Sequence, residues 1–156
     1  MREAQTGIID FMENFNFTLP IQVRYGDLDP QWHVNNARFL TYIEQARFAY
    51  LMELGLFDGK SYLDLPFIVA DMHIAYLAPI TLLQKVVVGV RVTRLGGKSM
   101  KFEYRIEDQE SGQALATVEN IMVSYDYHNL KTIPIPENVR GAIAAYEGIP
   151  AYPTDK

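Results

Sequence analysis

Apolar positions change their spacing twice along the chain, and each change marks an element. Phe15, Phe17, Leu19, Ile21, Val23 and Tyr25 alternate with Asn, Thr, Pro, Gln and Arg, the period of two that predicts a half-buried strand. Pro20 carries no N–H, so this strand lies at a sheet edge or bends there. Over residues 37–54 the spacing turns helical. Phe39, Ile43, Ala46, Tyr50 and Leu54 share one face, and Leu40, Tyr42, Phe48, Ala49, Leu51 and Met52 widen it until little is left for water. The pattern predicts a central buried helix, N-capped by Asn36 and ended by Gly55.

Beyond the turn Asp58-Gly59-Lys60-Ser61 the chain reads as strands as far as residue 127. Phe67 to Leu77 is apolar with Asp71 and His73 interspersed. Val86, Val88, Val90 and Val92 form one face of the next strand. Met100, Phe102, Tyr104 and Ile106 alternate with Lys101, Glu103, Arg105 and Glu107 in the one after. Gly96-Gly97-Lys98 joins these two as a hairpin turn, and Glu110-Ser111-Gly112 turns the chain again. In the last long strand Ala114, Ala116 and Val118 hand over to Ile121, Val123 and Tyr125, a phase slip that predicts a bulge near Glu119-Asn120. A short helix over about 137–147 carries Val139, Ile143 and Tyr146 inward and stops at Gly148. Residues 1–14, with Ile8, Ile9, Phe11 and Met12 beside Glu3, Asp10 and Glu13, read as an amphipathic arm.

Strand, long helix, four strands and short helix, with tight turns between consecutive strands, predict an α+β fold. Its antiparallel sheet of about five strands wraps one long central helix, and a short C-terminal helix follows. The whole of 1–156 reads as one domain, with a core over 15–130, an arm over 1–14 and the C-terminal helix over 137–147. Several outward-facing strand positions are apolar, and pairing of two copies covers them.

Composition narrows the function. With 14 Lys plus Arg against 19 Asp plus Glu, the net charge of -5 argues against a nucleic-acid partner, which calls for a basic face. The absence of cysteine removes disulfides, thiolate metal sites and cysteine nucleophiles. No apolar run approaches the ~20 residues of a membrane helix and no signal core opens the chain, so a cytoplasmic protein without a membrane partner is expected.

The chemistry concentrates between the first strand and the helix, in Tyr25-Gly26-Asp27-Leu28-Asp29-Pro30-Gln31-Trp32-His33-Val34-Asn35-Asn36. A calcium loop fails there, because Gln31 and Trp32 stand where Asp or Asn and Gly are needed. A zinc site would have to recruit His73 and His128 from distant strands, so no metal is expected. Gly96-Gly97-Lys98-Ser99 ends like a phosphate loop, but Val92 occupies its first glycine position and a strand follows instead of a helix. No G-x-S-x-G elbow is present. What remains is a carboxylate beside a helix N-terminus, where the free N–H groups of Asn36, Ala37 and Arg38 can polarise a carbonyl oxygen and an Asp can serve as base or nucleophile. That geometry suits acyl transfer from a thioester.

Tyr25-Gly26-Asp27-Leu28-Asp29-Pro30 followed by an apolar helix resembles the hotdog-fold thioesterases related to 4-hydroxybenzoyl-CoA thioesterase. His33-Val34-Asn35-Asn36 resembles the H-V-N-N of acyl-ACP thioesterases. The resemblance implies a hotdog fold and hydrolysis of an acyl-CoA or acyl-ACP ester with no cofactor. It makes Asp29 the catalytic carboxylate and His33 its helper, while Gln31 stands where the acyl-ACP branch carries Asn. Asn36 would hold the thioester oxygen, and Tyr25, Gln31, Trp32, Asn35 and the turn Gly97-Lys98-Ser99 would contact substrate. A homodimer or homotetramer with sites between subunits is implied, and Tyr42, Ile43 and Ala46 would set the depth of the acyl tunnel. A hotdog hydratase or dehydratase and a non-catalytic acyl-CoA-binding module are the alternatives.

Overall fold

In the computed structural model, which describes residues 11–61, 63 and 65–153, the period-two stretches pair into one antiparallel sheet. The elements are β1 (Phe17–Gln22), α1 (Asn36–Glu53), β2 (Phe67–Tyr76), β3 (Lys85–Leu95), β4 (Ser99–Asp108), β5 (Ala114–Asp126), the short β6 (Lys131–Thr132) and α2 (Glu137–Glu147). The order across the sheet is β1-β3-β4-β5-β2, with β6 added on β5. β1 and β2 are therefore the two ends of that path. Pro20 sits opposite Val87 on an end strand, where a missing N–H leaves no ladder partner unsatisfied on the open side.

The inner sheet face carries Val86, Val88, Val90 and Val92 from β3 and Met100, Phe102, Tyr104 and Ile106 from β4, all buried. α1 lays Phe39, Tyr42, Ile43, Ala46 and Tyr50 onto that face. The helix is less enclosed than its composition suggests. Leu40 and Phe48 are half-buried and Met52 is exposed, and β2 leaves a gap alongside α1 lined by Phe48, Leu51, Phe67 and Ile68. α2 is pinned over β3 by Glu147, whose Oε1 accepts from the Tyr50 hydroxyl at 2.6 Å and from Val92 N at 3.1 Å.

Three details differ from the sequence reading. The first strand ends at Gln22, and Tyr25–Asp27 form a single 3-10 turn. The N-cap of α1 is Asn35, one residue earlier than expected: its Oδ1 accepts from Ala37 N at 2.9 Å. The bulge of β5 lies at Leu115, between the pairs Ile106–Ala116 and Glu107–Ala114, and Glu119-Asn120 stay in phase. The apparent slip arises because Asn120 is a fully buried polar residue on the inner face while Ile121 and Val123 point outward.

Of the expected N-terminal arm, residues 1–10 lie outside the described residues. Phe11–Asn14 form a 3-10 turn, and Met12 and Phe15 rest against Gly89 on the outer sheet face, so close that a Cβ there would meet both at 2.8 Å. Arg91 holds this corner from the sheet, its guanidinium 4.8 Å from the Phe15 ring centroid and bonded to Asn14 O.

Candidate active site

The loop from Val23 to Asn35 is built on two carboxylates with different tasks. Asp27 is buried at 1% exposure and accepts from Arg24 N at 3.0 Å, from Arg24 Nη2 at 3.1 Å and from the Tyr42 hydroxyl at 2.8 Å. Burial alone would raise its pKa. The Arg24 backbone N–H, the Tyr42 hydroxyl and the Arg24 guanidinium outweigh that, and hold the carboxyl below its ordinary range. Its main-chain oxygen also accepts from Asn35 N at 2.8 Å. Asp27 thus fastens the loop to the start of α1 and is spent on structure.

Asp29 opens a tight hairpin. Its N donates to His33 O at 2.9 Å, Trp32 N donates to its O at 3.0 Å, and Leu28 and Val34 form a β-bridge beneath. Asp29 Oδ1 accepts from Gln31 N at 2.8 Å and from His33 N at 3.4 Å, which fixes the plane of the carboxylate. Its Oδ2 has no partner among the described residues. One oxygen is therefore held by the backbone while the other is available.

The helix N-terminus offers less than the sequence suggested. Ala37 N is taken by the Asn35 side chain and Arg38 N by Asn35 O at 2.8 Å. Only the Asn36 N–H lacks an acceptor among the described residues. Asn36 lines the same cleft as Asp29 and His33, a space of about 380 Å³ bounded by Phe39, Tyr76 and Leu77 as well. Tyr76 is fixed there, edge-on to Phe39 at 5.1 Å and with its hydroxyl donating to Asn36 O at 3.2 Å.

Asp29, His33 and Asn36 are thus brought together. Gln31, Trp32 and Tyr25 stand exposed and do not line the cleft; Trp32 shares the turn of Asp29 and His33, and Tyr25 and Trp32 are edge-on to each other at 6.2 Å. The Asn35 carboxamide oxygen is used by the cap. Gly97-Lys98-Ser99 lie at the opposite end of the sheet from the loop: β1 delivers the loop beside Lys85, whereas the hairpin follows Leu95. Tyr42, Ile43 and Ala46 pack into the core and do not line the cleft, which corrects their expected place along an acyl tunnel. The cleft wall from β2 was not read from the sequence, although an aromatic at the end of an apolar edge strand, just before Pro79, was its trace. Among the described residues no cluster of three or more His, Cys, Asp or Glu is placed to hold a metal ion. No described helix is long and apolar enough to cross a membrane.

The pattern describing the thioesterase-like superfamily matches residues 23–143. The chain belongs to that superfamily. The chain is also similar to the long-chain acyl-CoA thioesterase FadM of Escherichia coli, 29% identical over 120 residues, covering 77% of this chain and 91% of that protein. The acyl-CoA thioesterase YbgC of Haemophilus influenzae is 30% identical over 129 residues, covering 81% and 93%. A thioesterase of Thermus thermophilus, solved in complex with coenzyme A and zinc, superposes with a TM-score of 0.76 at 37% identity, covering 88% of this chain and 99% of that one. The curled antiparallel sheet with its central helix is the hotdog architecture of this superfamily.

Proposed function

We propose that this chain hydrolyses acyl-CoA thioesters in the cleft at the start of α1, with Asp29 as the reacting carboxylate. The observation that carries this is that Asp29, its carboxylate fixed through one oxygen, and Asn36, whose N–H is unpaired among the described residues, line one cleft. A thioester oxygen on that N–H meets the positive end of the helix as its charge develops. Asp29 then acts as base towards water or as nucleophile, and His33 orients the water. With Asp29 as base, the water oxygen bonds to the carbonyl carbon, its proton passes to Asp29 and the C–S bond breaks to release thiolate. With Asp29 as nucleophile, its oxygen forms that bond, the same thiolate leaves, and water then cleaves the acyl–Asp29 anhydride. Membership of the superfamily, and acyl-CoA thioesterases among the relatives, support the ester and its carrier.

The working unit we propose is a dimer joined along β2, each chain a single domain. β2 ends the sheet and exposes Ile68, Val69 and Tyr76. Its Phe67 end lies beside the 96–99 hairpin, since Tyr125 N bonds Pro66 O and Ser124 N bonds Lys98 O, while its Tyr76 end lies beside Asn36. Two copies of β2 paired antiparallel exchange those ends. The partner's Gly97, Lys98 and Ser99 then lie near this chain's Asp29, so both groups of residues can contact one CoA ester.

The test is release of thiol from a panel of acyl-CoAs by wild type and Asp29→Asn. Loss of at least ~100-fold is expected for the variant, the range for removal of a positioned acid or base. Absence of turnover in the wild type, or full rate in the variant, overturns the assignment.

A further inference from the structure

The turn that presents Asp29 and His33 contains a residue ill suited to its place. Trp32 has φ of 62°, the left-handed region, which in a hairpin of this kind belongs to Gly or Asn. Nothing in the packing compensates. The indole is 64% exposed, and its ring neighbour, Tyr25, is itself 72% exposed. The hairpin needs this backbone, closed by Trp32 N on Asp29 O and Asp29 N on His33 O, but it does not need an indole on it. A bulky side chain at that φ, in the turn that carries Asp29 and His33, points to a use for the side chain.

We propose that Trp32 and Tyr25 form an aromatic wall beside the Asp29–His33 cleft that stacks on a planar ring of the substrate, either the adenine of CoA or an aromatic acyl group. The edge-on arrangement, with rings at 67°, leaves an open face for such a ring. This rests on the cleft taking an acyl-CoA, but its test does not depend on turnover.

Trp32 is the single tryptophan of the chain, so its fluorescence reports this wall alone. The dimer-competent full chain is titrated with adenosine 3′,5′-bisphosphate, which has the adenine and no thioester. The Asp29→Asn variant is titrated with S-benzoyl and S-butyryl N-acetylcysteamine, which carry a ring or none and lack adenine. Saturable quenching by the bisphosphate identifies adenine as the ring. Quenching by the benzoyl but not the butyryl ester identifies the acyl group. Silence in all three, or equal quenching by both esters without the bisphosphate, overturns the proposal. Trp32→Gly, followed by calorimetry, is expected to weaken binding of the quenching probe about tenfold, within the range of one lost stacking contact, while its thermal midpoint stays level or rises. A lower midpoint with unchanged affinity makes Trp32 a structural residue and sinks the idea. Tyr25→Leu, which keeps the reporter, must also weaken the probe. Hydrolysis with a silent Trp32 defeats this inference only, whereas quenching without hydrolysis defeats the assigned reaction only.

Discussion

Tyr42 on α1 donates its hydroxyl to Asp27 Oδ2 at 2.8 Å, and this bond ties the loop that carries Asp29 to the second turn of the helix that follows it. Both groups are buried, at 2% and 1% exposure, so water does not replace the contact when it is lost. Tyr42→Phe is therefore expected to cost about 1.5–3 kcal/mol, the range for a hydrogen bond to a charged group. Urea unfolding gives the stability change. Because the loop also carries Asp29, thioester hydrolysis is expected to fall in the same variant with the fold intact by circular dichroism.

The same carboxylate sets an acid limit. Asp27 is held below its ordinary value of 3.8, so its charged form is favoured more by the native than by the unfolded chain. Its contribution is present in full above about pH 4 and is lost as the pH falls through the lowered native value. Asp27→Asn is expected to be less stable than wild type at pH 7, and the gap should narrow steadily below pH 4. Thermal midpoints measured from pH 7 to pH 2 check this. Parallel curves would show that Asp27 does not titrate as the geometry demands.

How much of this was legible beforehand depended on whether a residue's neighbours are local. The strands announced themselves through alternation, and α1 through its 3.6 spacing, because both periods are properties of the chain itself. Asp29 and His33 stood out for the same reason, being four residues apart in one turn. Asn120 misled the reading because a buried amide is explained only by partners such as Arg47, 73 positions away in the sequence. The cap of α1 moved by one residue because Asn35 and Asn36 are chemically identical, and only the loop geometry chooses between them. Tyr76, on β2, was invisible as a cleft wall until the sheet order placed it against Phe39.

The cap offers a way to separate stability from chemistry. Asn35→Ala removes the acceptor for Ala37 N and is expected to cost about 1 kcal/mol. Asn35→Asp keeps an acceptor and adds a negative charge that the helix N-terminus favours, so stability should be retained. That charge also sits one residue from the Asn36 N–H proposed to receive the thioester oxygen. The Asp variant is expected to fold as well as wild type yet turn over more slowly, with the loss in kcat. Equal kcat in both proteins would remove Asn36 from the reaction.

Asn120 ties three elements together at the far side of α1. Its Oδ1 accepts from Arg47 Nη1 and from the Tyr104 hydroxyl, each at 3.4 Å, and its Nδ2 donates to Asp71 O at 2.8 Å, just past the irregularity in β2 between Val69 and Asp71. One buried amide therefore joins the helix, the sheet centre and the edge strand. Asn120→Leu fills a similar space but leaves the buried Arg47, among the described residues, with the Tyr104 hydroxyl at 3.5 Å and the exposed Glu44 at 3.9 Å, and leaves Asp71 O without this donor. A cost on the order of 2–4 kcal/mol follows from stranding a buried cation and a carbonyl. Replacing Arg47 by Met in the same chain removes the stranded charge, so the double variant should recover part of the loss and be more stable than Asn120→Leu alone. A double-mutant cycle by urea unfolding measures the coupling directly. If Arg47→Met adds its own full penalty on top of Asn120→Leu, the two side chains do not form the network that the distances describe.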